Sequence, residues 1–384
     1  MKWKYVQLDK FCDSVRDGTH DTPKKTDSGY KLITAKHINN DGIDFSEAYL
    51  ISENDYNHIN ERSKVEKWDV LMSMIGNGLG KSFIVSEEPD YAIKNLALFK
   101  TGNEYKAKWL HYFLSSSFGQ GIIYSKLQGT GQPFISLSFL RKMKIIIPSS
   151  EKEMIKIASI LSTYDSLIEN NTKRIRLLEQ MAENLYKEWF VRFRFPGHEN
   201  VEMERGVPKG WSIAKLKEIV ERLPFNRTYK EFELEQEGNV IVIDQSTKEY
   251  LGFHNNEPSH IATLEAPIII FGDHSCKFQL MIKNFSLGEN VIPFVSNDEE
   301  RTNRYYLFYA THKLIETEEY KRHWGRLMAM KVIIPNIKLQ QEFSKIIKIM
   351  EKDKEYLQRQ IALLTKQRDL LLPRLMSGKL EVTV

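Results

Sequence analysis

Cysteine is nearly absent from this chain of 384 residues, and apolar runs long enough to cross a membrane are missing. The two cysteines, Cys12 and Cys276, lie far apart and form no CxxC pair, which argues against a thiolate zinc site and fits a reducing cytoplasm. The longest apolar runs, such as Ile145–Ile147 and Ile268–Phe271, are strand-length, whereas a membrane span needs about 20 residues. No secretory signal is visible at the start, so we expect a cytoplasmic protein.

An excess of charge of one sign is also lacking. The chain has 55 lysines and arginines against 51 aspartates and glutamates, which gives a formal net charge of +4. This mildly basic balance permits nucleic-acid binding but does not argue for it. The hydrophobic content of 41% and the charged content of 28% are ordinary for a soluble globular protein, and the length suggests two or three domains of roughly 150 residues.

Sequence motifs of catalytic sites are missing as well. Gly80–Ser82 ends like a phosphate-binding loop, but the position five residues before Gly80, where this loop requires a glycine, is occupied by Ile75. The ten histidines form no HExxH motif or closely spaced ligand set. Asp90, Glu104 and Lys106 mimic the carboxylate–lysine set of metal-dependent nucleases, although Glu104 follows a polar turn instead of lying on a core strand. We expect no catalytic residue and no metal site, and a self-sufficient nuclease is the alternative.

What the sequence does contain is an internal repeat, in which three features recur in the same order. The matching segments are Trp3 to Leu8 with Trp211 to Leu216, Val70–Gly76 with Pro267–Gly272 (followed by Lys81 and Lys277), and Met143–Pro148 with Met330–Pro335. The middle pair predicts a strand, a glycine turn and a second strand. A long helical pattern follows each copy, so the repeat predicts the order globular unit, helix, globular unit, helix.

The two helical segments carry apolar residues at the seven-residue spacing of a coiled coil. The predicted seam consists of Leu161, Tyr164, Ile168, Asn171, Ile175, Leu178 and Leu185 in the first helix, and of Ile347, Met350, Leu357, Ile361, Leu364 and Leu371 in the second. Lys354 and Arg368 interrupt the second seam. We predict that the helices pair as an antiparallel coiled coil in which Asn171 helps to fix the register; in the alternative, each helix packs on its own domain. Pro373 is expected to end or bend the second helix.

In this order, the motifs resemble those of the specificity subunit of type I restriction-modification systems. The resemblance is carried by Arg16–Pro23 and Gly129–Ser136, which resemble the opening and the end of a target recognition domain, by Leu185–Val191 at the end of a spacer helix, by Gly206–Trp211 at the start of a second recognition domain, and by the C-terminal Leu372–Leu380. It covers essentially the whole chain. The second domain lacks a copy of Asp17–His20 and of Gly129–Gln132 and has Arg322–Arg326 near the latter place, so we expect the two domains to read different half-sites.

The resemblance implies an α+β fold with two similar target recognition domains separated by two long helices that form an antiparallel coiled coil. The expected divisions are 1–148 for the first recognition domain, 149–195 for the first spacer helix, 196–335 for a linker and the second recognition domain, and 336–384 for the second spacer helix. It also implies a non-catalytic subunit that binds a bipartite DNA target, two methyltransferase subunits and restriction subunits. S-adenosylmethionine, ATP and magnesium are then expected on those partners, with no cofactor on this chain. A duplicated scaffold without DNA binding is a further alternative.

Candidate DNA-binding residues follow from the side chains that read bases and hold phosphates. Arginine contacts guanine, asparagine and glutamine contact adenine, and Lys, Arg, Ser and Thr hold phosphates. The candidates are Arg16, Thr19, His20, Lys36, Lys81, Gln128, Thr130 and Gln132 in the first domain, and Arg227, Tyr229, Lys230, Lys277, Arg301, Asn303, Arg304, Tyr305, Arg322 and Arg326 in the second. The densest basic and aromatic cluster, Arg301–Tyr306, has the alternative role of a turn that opens a helix.

Overall fold

The structure is a computed structural model that describes residues 2–39, 42–128, 133–225, 227–246, 248–317 and 322–383. The chain forms two compact units, one of Met1–Asn170 with Gln360–Val384 and the other of Asn171–Arg359. Each unit is built around its own hydrophobic core and contains part of both long helices. None of the helices in these described ranges combines the length and apolarity that a membrane crossing requires.

The first unit combines a four-stranded sheet with a smaller three-stranded sheet. Its elements are β1 (Trp3–Gln7), α1 (Leu8–Phe11), β2 (Ser14–Asp17), β3 (Tyr30–Ile33), β4 (Ile38–Asn39), β5 (Gly42–Ile43), β6 (Leu50–Ile51), α2 (Glu53–Ser63), β7 (Val70–Ser73), β8 (Ser82–Ile84), β9 (Tyr91–Ile93), β10 (Leu96–Lys100), α3 (Glu104–Ser115), α4 (Ser117–Tyr124), α5 (Leu137–Lys142), β11 (Lys144–Pro148) and the first part of α6 (Glu151–Tyr186). The larger sheet is antiparallel with the order β2-β10-β7-β8. The smaller has the order β6-β3-β9, in which β3 and β9 are parallel, and β1 pairs with β11.

The second unit repeats this topology. Its elements are β12 (Met203–Glu204), β13 (Val207–Pro208), β14 (Ser212–Lys215), β15 (Val220–Arg222), β16 (Val240–Ile243), β17 (Gly252–His254), β18 (Ile268–Gly272), β19 (Phe278–Met281), β20 (Phe285–Leu287), β21 (Val291–Ser296), α7 (Arg304–Thr311), α8 (Trp324–Ala329), β22 (Lys331–Ile334) and the first part of α9 (Ile337–Met376). The sheet orders β15-β21-β18-β19 and β17-β16-β20 copy those of the first unit, including the one parallel pair, and β14 pairs with β22. The repeat predicted from sequence is therefore confirmed at the level of strand order.

A capped helix covers one face of the large sheet in each unit. The side chain of Asn103 accepts the backbone N–H of Lys106 and starts α3, and the side chain of Asn303 starts α7 in the same way. Asparagine is favoured at this position because its side-chain oxygen satisfies a backbone N–H that the helix leaves unpaired. Trp109 of α3 and Tyr306 of α7 are almost completely buried against their sheets, and this packing fixes the sheets on which the loops depend.

The long helices pair antiparallel in the first unit. Leu161 of α6 is buried in one cluster with Leu375 of α9, and four residues further along α6 the Asp165 carboxylate accepts a hydrogen bond of 2.8 Å from Arg368, which lies seven residues earlier in α9. Asp165 also accepts a hydrogen bond from the hydroxyl of Tyr112 on α3. The arginine that interrupts the predicted seam is therefore paired with a carboxylate of the opposite helix.

The second unit shows the same antiparallel direction. The amine of Lys354 lies 3.2 Å from the Glu179 carboxylate, whereas Trp189, ten residues later in α6, lies beside Phe343, eleven residues earlier in α9. Asn171, in the predicted seam, is buried. The predicted α+β fold with an antiparallel coiled coil is confirmed.

The ends of the long helices differ in one respect from expectation. Helix α6 ends in a π-helical turn, Lys187–Val191, before the predicted break. Pro373 does not end α9, which continues to Met376. Three helical residues follow the proline, which has no N–H to donate to the carbonyl of Asp369 four residues earlier.

Candidate nucleic-acid interface

Loops gather at one end of the large sheet in the first unit. Asp17 at the end of β2 faces Ala97 near the start of β10, and Ser73 at the end of β7 faces Leu96. Because the strands are antiparallel, the loops that follow β2 and β7 and that precede β8 and β10 all emerge here. We call residues 18–22, 74–81, 94–95 and 133–135 the first loop edge.

The corresponding end of the second unit carries the equivalent loops. Here β15 ends at Arg222, β18 ends at Gly272, and β21 begins at Val291, which pairs with Gly272. We call residues 223–225, 227–230, 273–277, 288–290 and 322–325 the second loop edge.

Three backbone hydrogen bonds occur in both units and establish which loop residues are equivalent. The equivalent bonds are Thr19 N–H to Ile93 O (3.0 Å) and Tyr229 N–H to Leu287 O (2.8 Å), Ser73 N–H to Lys81 O (2.9 Å) and Gly272 N–H to Lys277 O (2.8 Å), and Ile135 N–H to Met74 O (3.0 Å) and His323 N–H to Asp273 O (2.8 Å). Five of the candidates from sequence thus pair up across the repeat or flank such a pair: Thr19 with Tyr229, Lys81 with Lys277, and Arg322 beside His323. Loops without sequence similarity occupy the same place in the two units.

A polar network organises the first loop edge around Asp17. Its side chain is only 8% exposed and accepts hydrogen bonds from Arg62 and from Nε2 of His20, the latter at 3.0 Å. The other ring nitrogen of His20 lies 2.8 Å from Oδ1 of Asn95. A side chain at Gly18 would meet the carbonyl oxygen of Ile93 at 2.4 Å, so glycine is required there. The buried carboxylate thereby holds two exposed cationic or polar side chains, Arg62 and His20, in fixed positions at the surface.

The other first-unit candidates lie around this network. The guanidinium of Arg16 donates to the backbone oxygen of Arg62 at 2.8 Å, and Thr19 Oγ1 accepts the N–H of Asp21. Lys36 is paired with Glu47 at 3.5 Å, on the short turn Ala35–His37 that packs against Gly76–Gly78. Gln128 pairs with Phe134 through the backbone. The candidates Thr130 and Gln132 lie outside the described residues.

In the second unit the candidates on the loop segment 227–230 are partly structural. The Arg227 guanidinium lies 4.4 Å from the ring centre of Tyr229, which stacks at 4.3 Å on His254, and Arg227 also donates to Glu233 at 2.7 Å. Tyr229 is 5% exposed, so its ring packs against the Arg227 guanidinium and does not itself face solvent. Lys230 starts a short helical turn, to which its backbone N–H contributes a bond with Glu233.

Lys277 also has a structural role. Its amine donates to the backbone oxygens of Asp244 and Lys248, and burial lowers the pKa of this lysine from its ordinary value. Arg326 donates to the backbone oxygen of Glu316. The side chain of Arg322 is 81% exposed, against 55% for that of Arg227.

The basic and aromatic cluster at 301–306 lies away from the second loop edge. It follows the end of β21 at Ser296, whereas the second loop edge adjoins the start of that strand. Asn303 caps α7, Arg304 pairs with Glu299 at 2.6 Å, and the buried Tyr305 donates to the backbone oxygen of Leu264. Arg301 N–H donates to the Asp298 carbonyl in the same turn, and the Arg301 carbonyl accepts a hydrogen bond from the Gln340 side chain on α9. These residues open a helix at the opposite end of the sheet, which is the alternative role given to them, and their contact with DNA stays a prediction.

Sequence reasoning missed Arg62, Lys94 and Asn95. Arg62 is the penultimate residue of α2 and reaches Asp17 from 45 positions away, which no local pattern signals. Asn95 has a positive φ of 55°, a conformation that asparagine adopts more readily than most residues, and Lys94 beside it donates to Thr22 Oγ1. The Lys-Asn turn between two apolar runs was the available signal for these two residues.

The nuclease alternative does not fit the geometry. Glu104 is the first residue of α3, not part of a core strand, and it pairs with Lys108 at 2.7 Å. Lys106 lies 3.9 Å from Asp13. Within the part of the chain that the structure describes, no group of three His, Cys, Asp or Glu side chains is placed to hold a metal ion.

Comparison with known proteins gives one consistent picture. The sequence model of the family described as "Type I restriction modification DNA specificity domain" matches residues 1–180. The type I restriction enzyme MjaIX specificity subunit of Methanocaldococcus jannaschii is 25% identical over 72% of this chain and 69% of its own length. The putative MjaX specificity subunit of the same organism is 22% identical over 99% of this chain and 94% of its own.

A solved structure shares the fold. The crystal structure of the type I restriction-modification system S subunit from M. genitalium superposes with a TM-score of 0.61 at 18% identity, over 97% of this chain and 96% of that one. This chain therefore shares the fold of that S subunit, and its residues 1–180 are similar to the specificity-domain family.

Proposed function

We propose that this chain recognises a split DNA target, with one half-site read at each loop edge. The observation that carries the proposal is the pair of equivalent edges with different side chains. At the first edge, the buried Asp17 holds the exposed side chains of Arg62 and His20. At the second edge, the exposed polar side chains include those of Arg227 and Arg322. Equivalent backbones with different surface groups suit two readers of different sequences, since base edges differ in the donors and acceptors that they present.

The spacing of the half-sites is attributed to the long helices. At 1.5 Å per residue, the 36 residues of α6 and the 40 residues of α9 give helices of roughly 54 and 60 Å. One turn of B-DNA is about 34–36 Å. We assign the half-site readers to 1–148 and 196–335 and the spacers to 149–195 and 336–384.

An exposed apolar surface on the helices supports docking of partner subunits. On α9, large apolar residues more than half exposed recur at every seventh position, away from the seam: Ile349, Tyr356, Leu363 and Leu370. On α6, Leu177 and Met181 are similarly exposed. Exposed contiguous apolar surface of this kind marks interaction sites.

The number of partners follows from the repeat. Leu363 and Leu370 belong to the first unit, whereas Ile349, Tyr356, Leu177 and Met181 belong to the second, so each unit presents its own apolar residues. We infer that two methyltransferase subunits bind, one per unit, and that restriction subunits join the assembly. Methyl transfer and cleavage, with S-adenosylmethionine, ATP and magnesium, are assigned to those partners, and this chain contributes no catalytic residue. Because the proposed ligand is DNA, we infer that the complex lies in the cytoplasm.

Co-expression of this chain with the methyltransferase of its native host, followed by mapping of methylated bases, tests the proposal. The expected result is methylation at one split motif with a fixed gap, and two methyltransferase copies per chain in the purified complex. Methylation without a split motif would contradict the two-reader arrangement. Magnesium-dependent cleavage of DNA by the purified chain alone would contradict the non-catalytic assignment.

A further inference from the structure

A cavity of about 390 Å³ opens at the second loop edge. Its walls include two guanidinium groups, those of Arg222 and Arg322, and the rings of Phe225 and Trp324, with the carboxylate of Asp273 between them. The cavity therefore presents cationic, aromatic and anionic groups together, at the end of the sheet that the proposed function assigns to DNA.

Asp273 is held rigidly in this cavity. The residue is 9% exposed, and its Oδ1 accepts the backbone N–H groups of His323 at 3.0 Å and Trp324 at 2.9 Å. Its Oδ2 lies 3.9 Å from Nε of Arg322, which is an ion pair but too long for a hydrogen bond. The two oxygens thus differ, because Oδ1 fixes the orientation of the side chain whereas Oδ2 retains acceptor capacity towards the cavity.

A carboxylate is an unexpected group on a surface that approaches DNA. Phosphates repel it, and a neutral acceptor would cap the same two N–H groups. Asp17 beside the first loop edge differs, because both of its oxygens accept hydrogen bonds from side chains, those of His20 and Arg62. Met74 occupies the position equivalent to Asp273 in the first unit, and the same backbone bond forms there without a carboxylate, from Ile135 N–H to Met74 O. The arginines on either side of Asp273 offset the repulsion.

We propose that Asp273 determines specificity at one base pair of the half-site read by the second unit. Its Oδ2 accepts a hydrogen bond from an exocyclic amino group in the major groove, which is N4 of cytosine or N6 of adenine, the amino donors that bases present there. Arg222 and Arg322 hold the flanking phosphates or guanine. This inference rests on the proposed function and names the chemistry that one of its two readers recognises.

The test uses the full chain in complex with its methyltransferase partners, and it compares Asp273→Asn with the matched control Asp298→Asn. Asparagine keeps the Oδ1 acceptor that holds the loop and replaces Oδ2 with a donor. Asp298 also accepts a backbone N–H through Oδ1, from Glu300 at 3.0 Å, but follows the opposite end of β21. Selection of binding sites from randomised DNA gives the base preference at each position of the target.

Asp273→Asn should lower the preference for the wild-type base at a single position of the second half-site by roughly tenfold or more, while the first half-site and the Asp298→Asn complex stay unchanged. Wild-type binding should fall similarly when the amine at that position is removed. Purine in place of adenine and 2-pyrimidinone in place of cytosine, which lack the amino group without adding a carbonyl there, distinguish the two sources of the amine. An Asp273→Asn complex with the wild-type preference at every position, or one that only binds all sequences more weakly, would overturn the proposal.

A second variant tests the cavity without changing the Asp273 side chain that holds the loop. A Cβ atom built at Gly325, which lines the cavity, meets no atom within 4 Å, so Gly325→Leu adds a side chain at the cavity wall with no clash at its Cβ. Gly121 on α4 is equally open, and Gly121→Leu is its control. Gly325→Leu should weaken recognition of the second half-site alone; an unchanged target would also count against the proposal. If the wild-type complex selects no split target, the proposed function itself fails, which is a different result.

Discussion

The ion pair between Asp165 and Arg368 makes a measurable prediction about the coiled coil. Arg368 occupies a seam position, and its side chain and that of Asp165 are 29% and 35% exposed. Arg368→Leu removes the partner of a carboxylate that also accepts the Tyr112 hydroxyl. Exposed pairs contribute about 0–1 kcal/mol, and loss of one partner of a fully buried pair costs about 3–5 kcal/mol. With about two thirds of each side chain buried, we expect the free energy of unfolding to fall by about 1–3 kcal/mol.

The double variant Asp165→Asn with Arg368→Leu should recover most of this loss. Asparagine carries no charge that needs a partner and still accepts the Tyr112 hydroxyl, while leucine restores an apolar seam residue. Urea unfolding of the four proteins, followed by circular dichroism, gives the coupling energy, for which we expect about 1–2 kcal/mol. Arg359→Leu is the control, because Arg359 is 74% exposed and pairs along its own helix, with Glu355. A coupling energy near zero, or a loss for Arg359→Leu as large as for Arg368→Leu, would refute this reasoning.

Three further predictions concern the core, the partner surface and pH. Tyr305→Phe should cost about 1 kcal/mol of stability, because it removes a buried hydrogen bond, and should leave DNA affinity unchanged; a specific loss of DNA binding in a filter assay would return this residue to the interface. Leu363→Ser should leave the melting temperature within about 2 °C, since the side chain is 61% exposed, but should weaken methyltransferase binding in calorimetry; equal binding would argue against the docking surface. Burial lowers the pKa of His111 from about 6.5 to about 4, so the folded state binds fewer protons than the unfolded state between these values. Its contribution to stability is complete above pH 6.5 and declines as the pH falls towards 4. His111→Gln should flatten that decline in urea midpoints, and an unchanged slope would count against this assignment.

Much of the architecture was predictable because repetition and periodicity are local signals. The recurring Met143–Pro148 segment marked the end of each globular unit, and the seven-residue spacing around Leu161 predicted a helix with a partner. The role of Arg368 was not predictable in the same way, since an arginine in a seam is explained only by the carboxylate that the opposite helix brings to it.

The interface was predictable only in part, because strand order decides which loops meet. Asp17–His20 is a continuous motif, so its residues stay together, but Arg62 joins them only through the fold. Arg301–Tyr306 has the composition of a DNA-binding segment. It follows the end of β21, whereas the second loop edge adjoins the start of that strand, and composition alone does not indicate this position. Equivalence of Thr19 with Tyr229 rests on backbone hydrogen bonds and leaves no trace in the side chains.

The most direct test of the account is whether the two half-sites can be altered separately. Methylated bases would be mapped for the wild-type complex and for two variants. One variant carries Arg62→Gln, in the network beside the first loop edge, and the other carries Arg322→Gln on the second loop edge. We predict that each variant loses or relaxes one half of the split target, a different half in each case, and that the other half and the gap between them are kept. Loss of both halves by either variant, or relaxation of the same half by both, would contradict the assignment of one reader to each unit.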